Sequence, residues 1–388
     1  MTEAMTTAVQ AATQNANDAR RPSPPFRAEH VGSLLRPPAL AAARSRYQAG
    51  ELPAAELREA EDCAVRDVVR MQEEIGFQAV TDGELRRGAW HMDFLYQIGG
   101  ISRTESPLKL HFHGESGEIE FTTSALKVTS ALRHEKTIFG ADFAFLKSVT
   151  RATPKITIPS PSMVHYRGGR AAVDRSVYPD LDAFWSDLET AYASQIAALA
   201  GLGCTYLQLD DTSLAYLNDP AQREHLSSLG GDPANQHIVY IDLINGALAR
   251  RPAGMTVCVH LCRGNFRSCW IASGGYDHVA EALFNRLDVD GFFLEYDDER
   301  SGGFEPLRFV PRGKRVILGL VTSKRGALED KDDLKRRIDA AARFVDLDQI
   351  SLSPQCGFAS TADGNTLTVA EQWLKLERVA ETAREVWG

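Results

Sequence analysis

The chain has 388 residues, 44% hydrophobic and 24% charged, an ordinary globular composition with length enough for a large core. A formal net charge of −9 and a pI near 5.6 argue against a nucleic-acid surface or a polybasic membrane contact. No run approaches the roughly 18 apolar residues of a membrane span, and the N-terminus lacks the apolar centre of a signal peptide.

In chain order, residues 1–25 are rich in Ala, Thr, Asn, Gln and Pro without periodicity and read as a flexible tail. Short apolar, β-branched runs then recur, each followed by a longer helical pattern. The runs are AEHVGS (28–33), FQAVTD (77–82), KITIPSP (155–161), TYLQLDD (205–211), MTVCVHLC (255–262), GFFLEY (291–296), RVILGLV (315–321) and QISLSP (349–354). Helices are predicted over 54–76, 181–203 and 330–346, where apolar residues recur at spacings of three and four and Gly76 and Gly203 stand at C-cap positions. Eight strands alternating with helices predict an α/β fold, a (β/α)8 TIM barrel, with 26–388 as one catalytic domain. An open doubly wound sheet is the rival, but no G-x-G-x-x-G follows the first strand. The interval after strand two is too long for one helix. LKLHFHGESGEIEFTT (108–123) reads as a hairpin turning at Glu115-Ser116-Gly117, within an insertion of about 95–150 over the barrel mouth.

In such barrels the chemistry gathers at the C-terminal ends of the strands. Strand five ends with His260 and Cys262, strand six with Glu295, and strand eight runs into Pro354-Gln355-Cys356-Gly357. Thiolates, imidazole and one carboxylate brought to one rim are zinc chemistry. A zinc with two thiolates can accept a further thiol and hold it as a thiolate nucleophile. A displaceable Glu295 would keep the ion four-coordinate during that exchange. H-x-C alone is a weak signal, since buried Cys is common in cores; the partners on two other strands decide the reading. Cys258 shares the face of His260 but lies about 6–7 Å deeper and reads as core, as do Cys63, Cys204 and Cys269. The six scattered cysteines fit a reducing cytoplasm better than a disulfide scaffold.

A second group reaches the same rim: Ser33 after strand one, Glu84 after strand two and Asp210 at the end of strand four. Two carboxylates could grip an ammonium while Ser33 and nearby backbone N–H groups hold a carboxylate, which suits an amino-acid zwitterion. Asp82 and Asp211, their neighbours, read instead as caps of the following segments.

These residues make the chain resemble the C-terminal catalytic half of cobalamin-independent methionine synthase, most closely the short single-barrel relatives, over nearly everything from Phe26 onward. His260-Leu261-Cys262, Glu295 and Pro354-Gln355-Cys356-Gly357 match the family's zinc ligands, which activate homocysteine for methylation. Val31-Gly32-Ser33, Gly83-Glu84 and Gln208-Leu209-Asp210 match segments that bind the homocysteine backbone. Three departures concern the methyl donor. The additional N-terminal barrel that helps full-length synthases with polyglutamylated folate is not found in this sequence. The family histidine after strand seven is replaced by Lys324. The tryptophan segment after strand three reads Pro161 to Arg167 without Trp, offering His165 and Tyr166 instead. Arg86, Trp90 and His91, just past strand two, could complete a donor pocket.

The resemblance implies a cytoplasmic zinc-dependent methyltransferase acting on homocysteine, with methyltetrahydrofolate or another compound as donor and homo-oligomerisation left open. One alternative is a thiol alkyltransferase of the epoxyalkane:coenzyme M transferase type, whose anionic sulfonate would face Glu84 and Asp210 unfavourably. The other is a non-catalytic barrel with structural zinc, although structural sites usually carry four Cys or His ligands.

Overall fold

Strands buried on both faces read as near-continuous apolar runs, and these runs assemble as parallel neighbours. The computed structural model describes residues 23–114 and 117–388. The tail up to residue 22 and the turn residues Glu115 and Ser116 lie outside the described residues. Seven strands form one parallel sheet in chain order: β1 (Ala79–Val80), β4 (Thr153–Pro159), β5 (Tyr206–Asp211), β6 (Thr256–Leu261), β7 (Gly291–Glu295), β8 (Arg315–Val321) and β9 (Ile350–Pro354). β5, β7 and β9 are buried along their whole length. The sheet curls, with helices packed on it, giving the expected α/β class.

The expected first strand is not a regular one. Residues 27–34 touch β9 through the parallel bridge Ala28–Leu352, with Glu29 N–H donating to Leu352 O at 2.9 Å. On the other side Leu34 N–H donates to Gly83 O at 2.9 Å and Thr81 Oγ1 donates to Gly32 O at 2.7 Å. Gly32 interrupts the ladder with φ +144°, and a Cβ there would meet Thr157 Cγ2 at 2.9 Å. β1 is short for a related reason: beyond Val80, Thr81 N–H donates to the Gln72 side chain rather than to a strand.

The helices follow their periodicity. Ala54–Ile75 buries Val65, Val68, Val69 and Gln72 and stops at Gly76, which adopts φ 101°. Asp182–Gly201 is capped by Leu202 rather than by Gly203. Lys331–Ala341 starts at Asp330, whose side chain accepts from Asp333 N–H.

The hairpin is longer than its sequence signal. β2 (Gly99–Gly114) and β3 (Gly117–Arg133) pair antiparallel. Near its base Asp174 N–H donates to Val128 O at 3.0 Å; near its tip His113 and Trp270 exchange backbone hydrogen bonds at 2.6 and 2.8 Å. Phe112 and Phe121 lie 5.3 and 4.4 Å from Phe266, ring centre to ring centre. The hairpin therefore reaches the loop that leaves β6, and that loop begins at the chemistry-bearing residues. No helix among the described residues is long and apolar enough to cross a membrane.

Candidate metal centre

The C-terminal ends of β6, β7 and β9 converge. His260 Nε2 or Nδ1, Cys262 Sγ, a Glu295 carboxylate oxygen and Cys356 Sγ include ligand atoms that all lie within 4.8 Å of one another, and all four residues are buried. A tetrahedral ion with ligands at about 2.0–2.3 Å spaces them roughly 3.3–3.8 Å apart, so a small contraction would close the group. The orphaned atoms fit that use: His260 Nε2 and Glu295 Oε2 are buried without hydrogen-bond partners. Each is the free end of a tethered side chain. His260 Nδ1 stands 3.1 Å from Asp210 Oδ1, and Glu295 Oε1 accepts from Arg263 N–H at 2.8 Å. A carboxylate on the far ring nitrogen is how metal-ligating histidines are oriented.

Cys262 and Cys356 sulfurs are 3.4 Å apart, both thiols being free. This is well beyond the roughly 2.05 Å of a disulfide. Hydrogen bonding from Cys262 holds the Cys356 thiol well below its ordinary range, against burial and with help from His260. The same contact with Cys356, then burial, pushes Cys262 well above it. Burial acts to lower His260, but the Asp210 carboxylate and then the Cys356 sulfur raise it to about 10. Burial raises Glu295 while Lys324 and Arg300 oppose it.

The amino-acid-binding candidates stand on the same floor. Asp210 Oδ1 also accepts from Gln208 Nε2 at 2.7 Å, and Gln208 Oε1 accepts from Lys155 Nζ at 3.2 Å. Glu84 follows Gly83 at φ 67° and itself has φ 54°, an unusual backbone for a residue with a side chain. That turn brings its Oε1 to Thr157 Oγ1, which donates at 2.8 Å, and its Oε2 within 3.4 Å of Arg87. Burial raises the Glu84 carboxyl, Arg87 lowers it and Asp210 raises it. Ser33 packs so closely on Gly357 that a Cβ there would lie 1.9 Å from its hydroxyl, which locks the Cys356 loop to the first segment. The neighbours do local work, as expected: Asp82 accepts from Glu84 N–H, and Asp211 accepts from Leu214 N–H.

Ser33, Glu84, Asp210, His260, Cys262 and Cys356 line one cavity with about 690 Å³ of empty space, open to solvent; Glu295 lies behind its wall. Trp90 and His91 also line it, and burial followed by the Arg167 charge takes His91 down to about 3. Four expected donor-pocket residues do not line it. Arg86 pairs with Asp62, Glu61 and Asp142 on the outer side, its guanidinium 4.8 Å from the Phe145 ring centre. His165 is packed inside, 3.0 Å from Tyr240 Oη, and burial takes it to about 4. Tyr166 donates to Gln222 at 3.2 Å. Lys324 turns behind the wall toward Glu295 and Asp297. In their place stand Arg167, Tyr216, Phe112, Phe121 and Phe266. The alternation in LKLHFH put Leu110 and Phe112 on one face and could have flagged them; Tyr216 left no such signal.

No family model matches the chain. It is 47% identical over 365 residues to the uncharacterized protein YxjH of Bacillus subtilis (strain 168), spanning 94% of this chain and 95% of that one. It is 22% identical over 330 residues to the methionine synthase of Pyrococcus abyssi (strain GE5 / Orsay), 84% of each chain. Among solved structures it is similar to a Listeria monocytogenes protein classed as a vitamin-B12-independent methionine synthase. The TM-score is 0.75 at 37% identity, covering 95% of this chain and all of that one.

Proposed function

The chain belongs to the cobalamin-independent methionine synthase family, and we propose that it transfers a methyl group to the thiol of homocysteine, with zinc held by His260, Cys262, Glu295 and Cys356. The observation that carries this reading is a buried His/Cys/Glu/Cys group against a cavity that also presents two carboxylates and a serine. Glu84 and Asp210 take the acceptor's ammonium. Ser33 and the backbone beside it take its carboxylate. The thiol is thereby aimed at the metal ligands.

Zinc bound there would lower the acceptor thiol's pKa and hold it as a thiolate at neutral pH. Asp210 has two tasks in this arrangement, orienting the His260 ring and meeting the ammonium. Phe112, Phe121 and Phe266 cover the approach and keep water from the reacting pair. The donor, methyltetrahydrofolate or another methyl compound, enters past Trp90, His91 and Arg167. Burial and the Arg167 charge, which take His91 down to about 3, favour its neutral form there.

The same reading extends to the scaffold. Residues 27–34 close the sheet as the eighth member of a (β/α)8 barrel, supported by their contacts to β9 and to Thr81 and Gly83 just after β1, and 26–388 form one catalytic domain with the hairpin inserted over its mouth. The free cysteines suit a reducing, cytoplasmic setting. The test is titration of the cobalt-loaded protein with homocysteine, followed by methionine formation with a panel of methyl donors. A thiolate-to-cobalt absorption band should grow to one equivalent. An unchanged spectrum would sink both the function and the ligand exchange it requires.

A further inference from the structure

Glu295 occupies an unusual electrostatic position for a metal ligand. Its Oε2, free of hydrogen bonds, lies 3.9 Å from Lys324 Nζ and 3.7 Å from an Arg300 terminal nitrogen. Asp297 completes the compartment, 3.7 Å from Lys324 and 3.5 Å from Arg300. None of these four side chains is more than 8% exposed. Arg300 also contacts Asp298, at 3.4 Å, and lies over the Trp270 ring. Neither Glu295, Lys324 nor Arg300 lines the cavity that holds the other ligands; Lys324 lines a separate cleft with Trp270 and Asp298. The loop that carries Lys324 is fixed: Ser323 N–H donates to Gln355 Oε1 at 2.6 Å and Asn365 donates to Ser323 O at 2.7 Å.

A carboxylate that served only as a permanent ligand would be held less firmly for having these neighbours. Two cations within 4 Å compete with the ion for the same oxygen and weaken that bond. A carboxylate that must leave the ion has the opposite need, because released into a buried compartment without counter-charge it would be a costly unpaired ion. Lys324 and Arg300 stand just beyond hydrogen-bond distance, where a small swing of Glu295 would reach them.

Resting on the homocysteine reading above, we infer that Lys324 and Arg300 form a docking compartment that receives Glu295 when the acceptor thiol takes its place, and so set how readily the fourth ligand exchanges. With zinc bound there, that exchange would break a Glu295 oxygen–metal bond and form a sulfur–metal bond. The thiol proton passes to solvent, and Glu295 stays ionised against the two cations. Lys324 is then a positioning residue acting through Glu295, not a group that meets the donor.

The test is a double-mutant cycle on the full cobalt-loaded chain: unchanged protein, Lys324→Met, Glu295→Ala and the pair, each titrated with homocysteine and followed by the thiolate-to-cobalt band. Lys324→Met should keep stoichiometric cobalt, yet its homocysteine Kd should rise at least tenfold. In the Glu295→Ala background the same change should alter Kd less than twofold, since no carboxylate remains to be received. Lys324→Arg should restore the unchanged protein's affinity. If Lys324→Met fails to fold, Lys324→Met with Asp297→Asn removes one charge of each sign, and the same expectations apply. The inference is overturned if Lys324→Met binds homocysteine normally, or if its penalty persists undiminished without Glu295. A silent titration of the unchanged protein would instead overturn the proposed function itself, and this inference with it.

Discussion

Asp210→Asn separates two roles that meet in one carboxylate. Asp210 Oδ1 receives hydrogen bonds from His260 Nδ1 at 3.1 Å and Gln208 Nε2 at 2.7 Å. The Gln208 amide cannot turn over to compensate, because its oxygen is held by Lys155, itself paired with Glu29 at 3.2 Å. The substituted side chain must therefore keep its amide oxygen toward Gln208 and His260, leaving its NH2 for the cavity. Hydrogen bonds to a charged group are worth about 1.5–3 kcal/mol, against about 1 for neutral ones, so the metal-facing loss is about 1–2 kcal/mol. That is roughly tenfold in zinc Kd, at the lower end of what removing a ligand's orienting partner typically costs. The acceptor should suffer more, since a carboxylate facing an ammonium has become an N–H donor facing it; a rise of about 100-fold in homocysteine Kd corresponds to about 2.7 kcal/mol. Competition with a chromophoric chelator gives the first constant and calorimetry on the zinc-loaded protein the second. Glu84→Gln is the control, expected to weaken homocysteine while leaving zinc within twofold. Asp210→Asn with unaltered zinc affinity would refute the orienting role of the Asp210–His260 contact.

Cys356→Ala should lose stoichiometric zinc by metal analysis, whereas Cys258→Ala should retain it and lose only about 1 kcal/mol of stability in denaturant titration, as befits a buried core thiol. Zinc uptake should release protons, because metal ligands bind deprotonated and the surroundings of His260 and Cys262 both favour the protonated form. Affinity should accordingly fall as pH falls, and calorimetry in buffers of different ionisation enthalpy reads the release; an affinity independent of pH would contradict ligation by His260 and the two cysteines. Phe112→Ala removes an aromatic pair worth about 0.5–1.5 kcal/mol beyond its buried area, so the hairpin's hold on Phe266 should weaken by up to about tenfold. Methyl transfer should drop with it while zinc content stays unchanged, and an undiminished rate would rule out a covering role for the hairpin.

The parts of the fold legible in the sequence are those where burial leaves one solution. RVILGLV and MTVCVHLC are apolar enough to be covered on both faces, and both became central parallel strands within a residue or two of the expected bounds. AEHVGS was harder because its polar residues belong to the interior. Glu29 is fully buried against Lys155, and Gly32 takes a backbone conformation outside the regular strand range. The polar stretch at the start of β2 hid the hairpin's true length, while its alternating LKLHFH tip was visible.

The candidate site divides along a similar line. His260, Cys262, Glu295 and Cys356 were legible because their residue types narrow the chemistry before any contact is known, and strand ends bring them together. Arg86 and Lys324 were not, because a cation near a site can serve a ligand or a buried carboxylate, and sequence spacing does not say which. Arg86 answers Asp62, Glu61 and Asp142 on the outer face; Lys324 answers Glu295 and Asp297 behind the metal group. For Lys324 the distinction changes the chemistry that follows. Pointed into the cavity, its charge would act on the departing donor. Pointed at Glu295, it would act on how readily an acceptor thiol takes that carboxylate's place, so losing it should be felt in homocysteine affinity before any methyl donor is added.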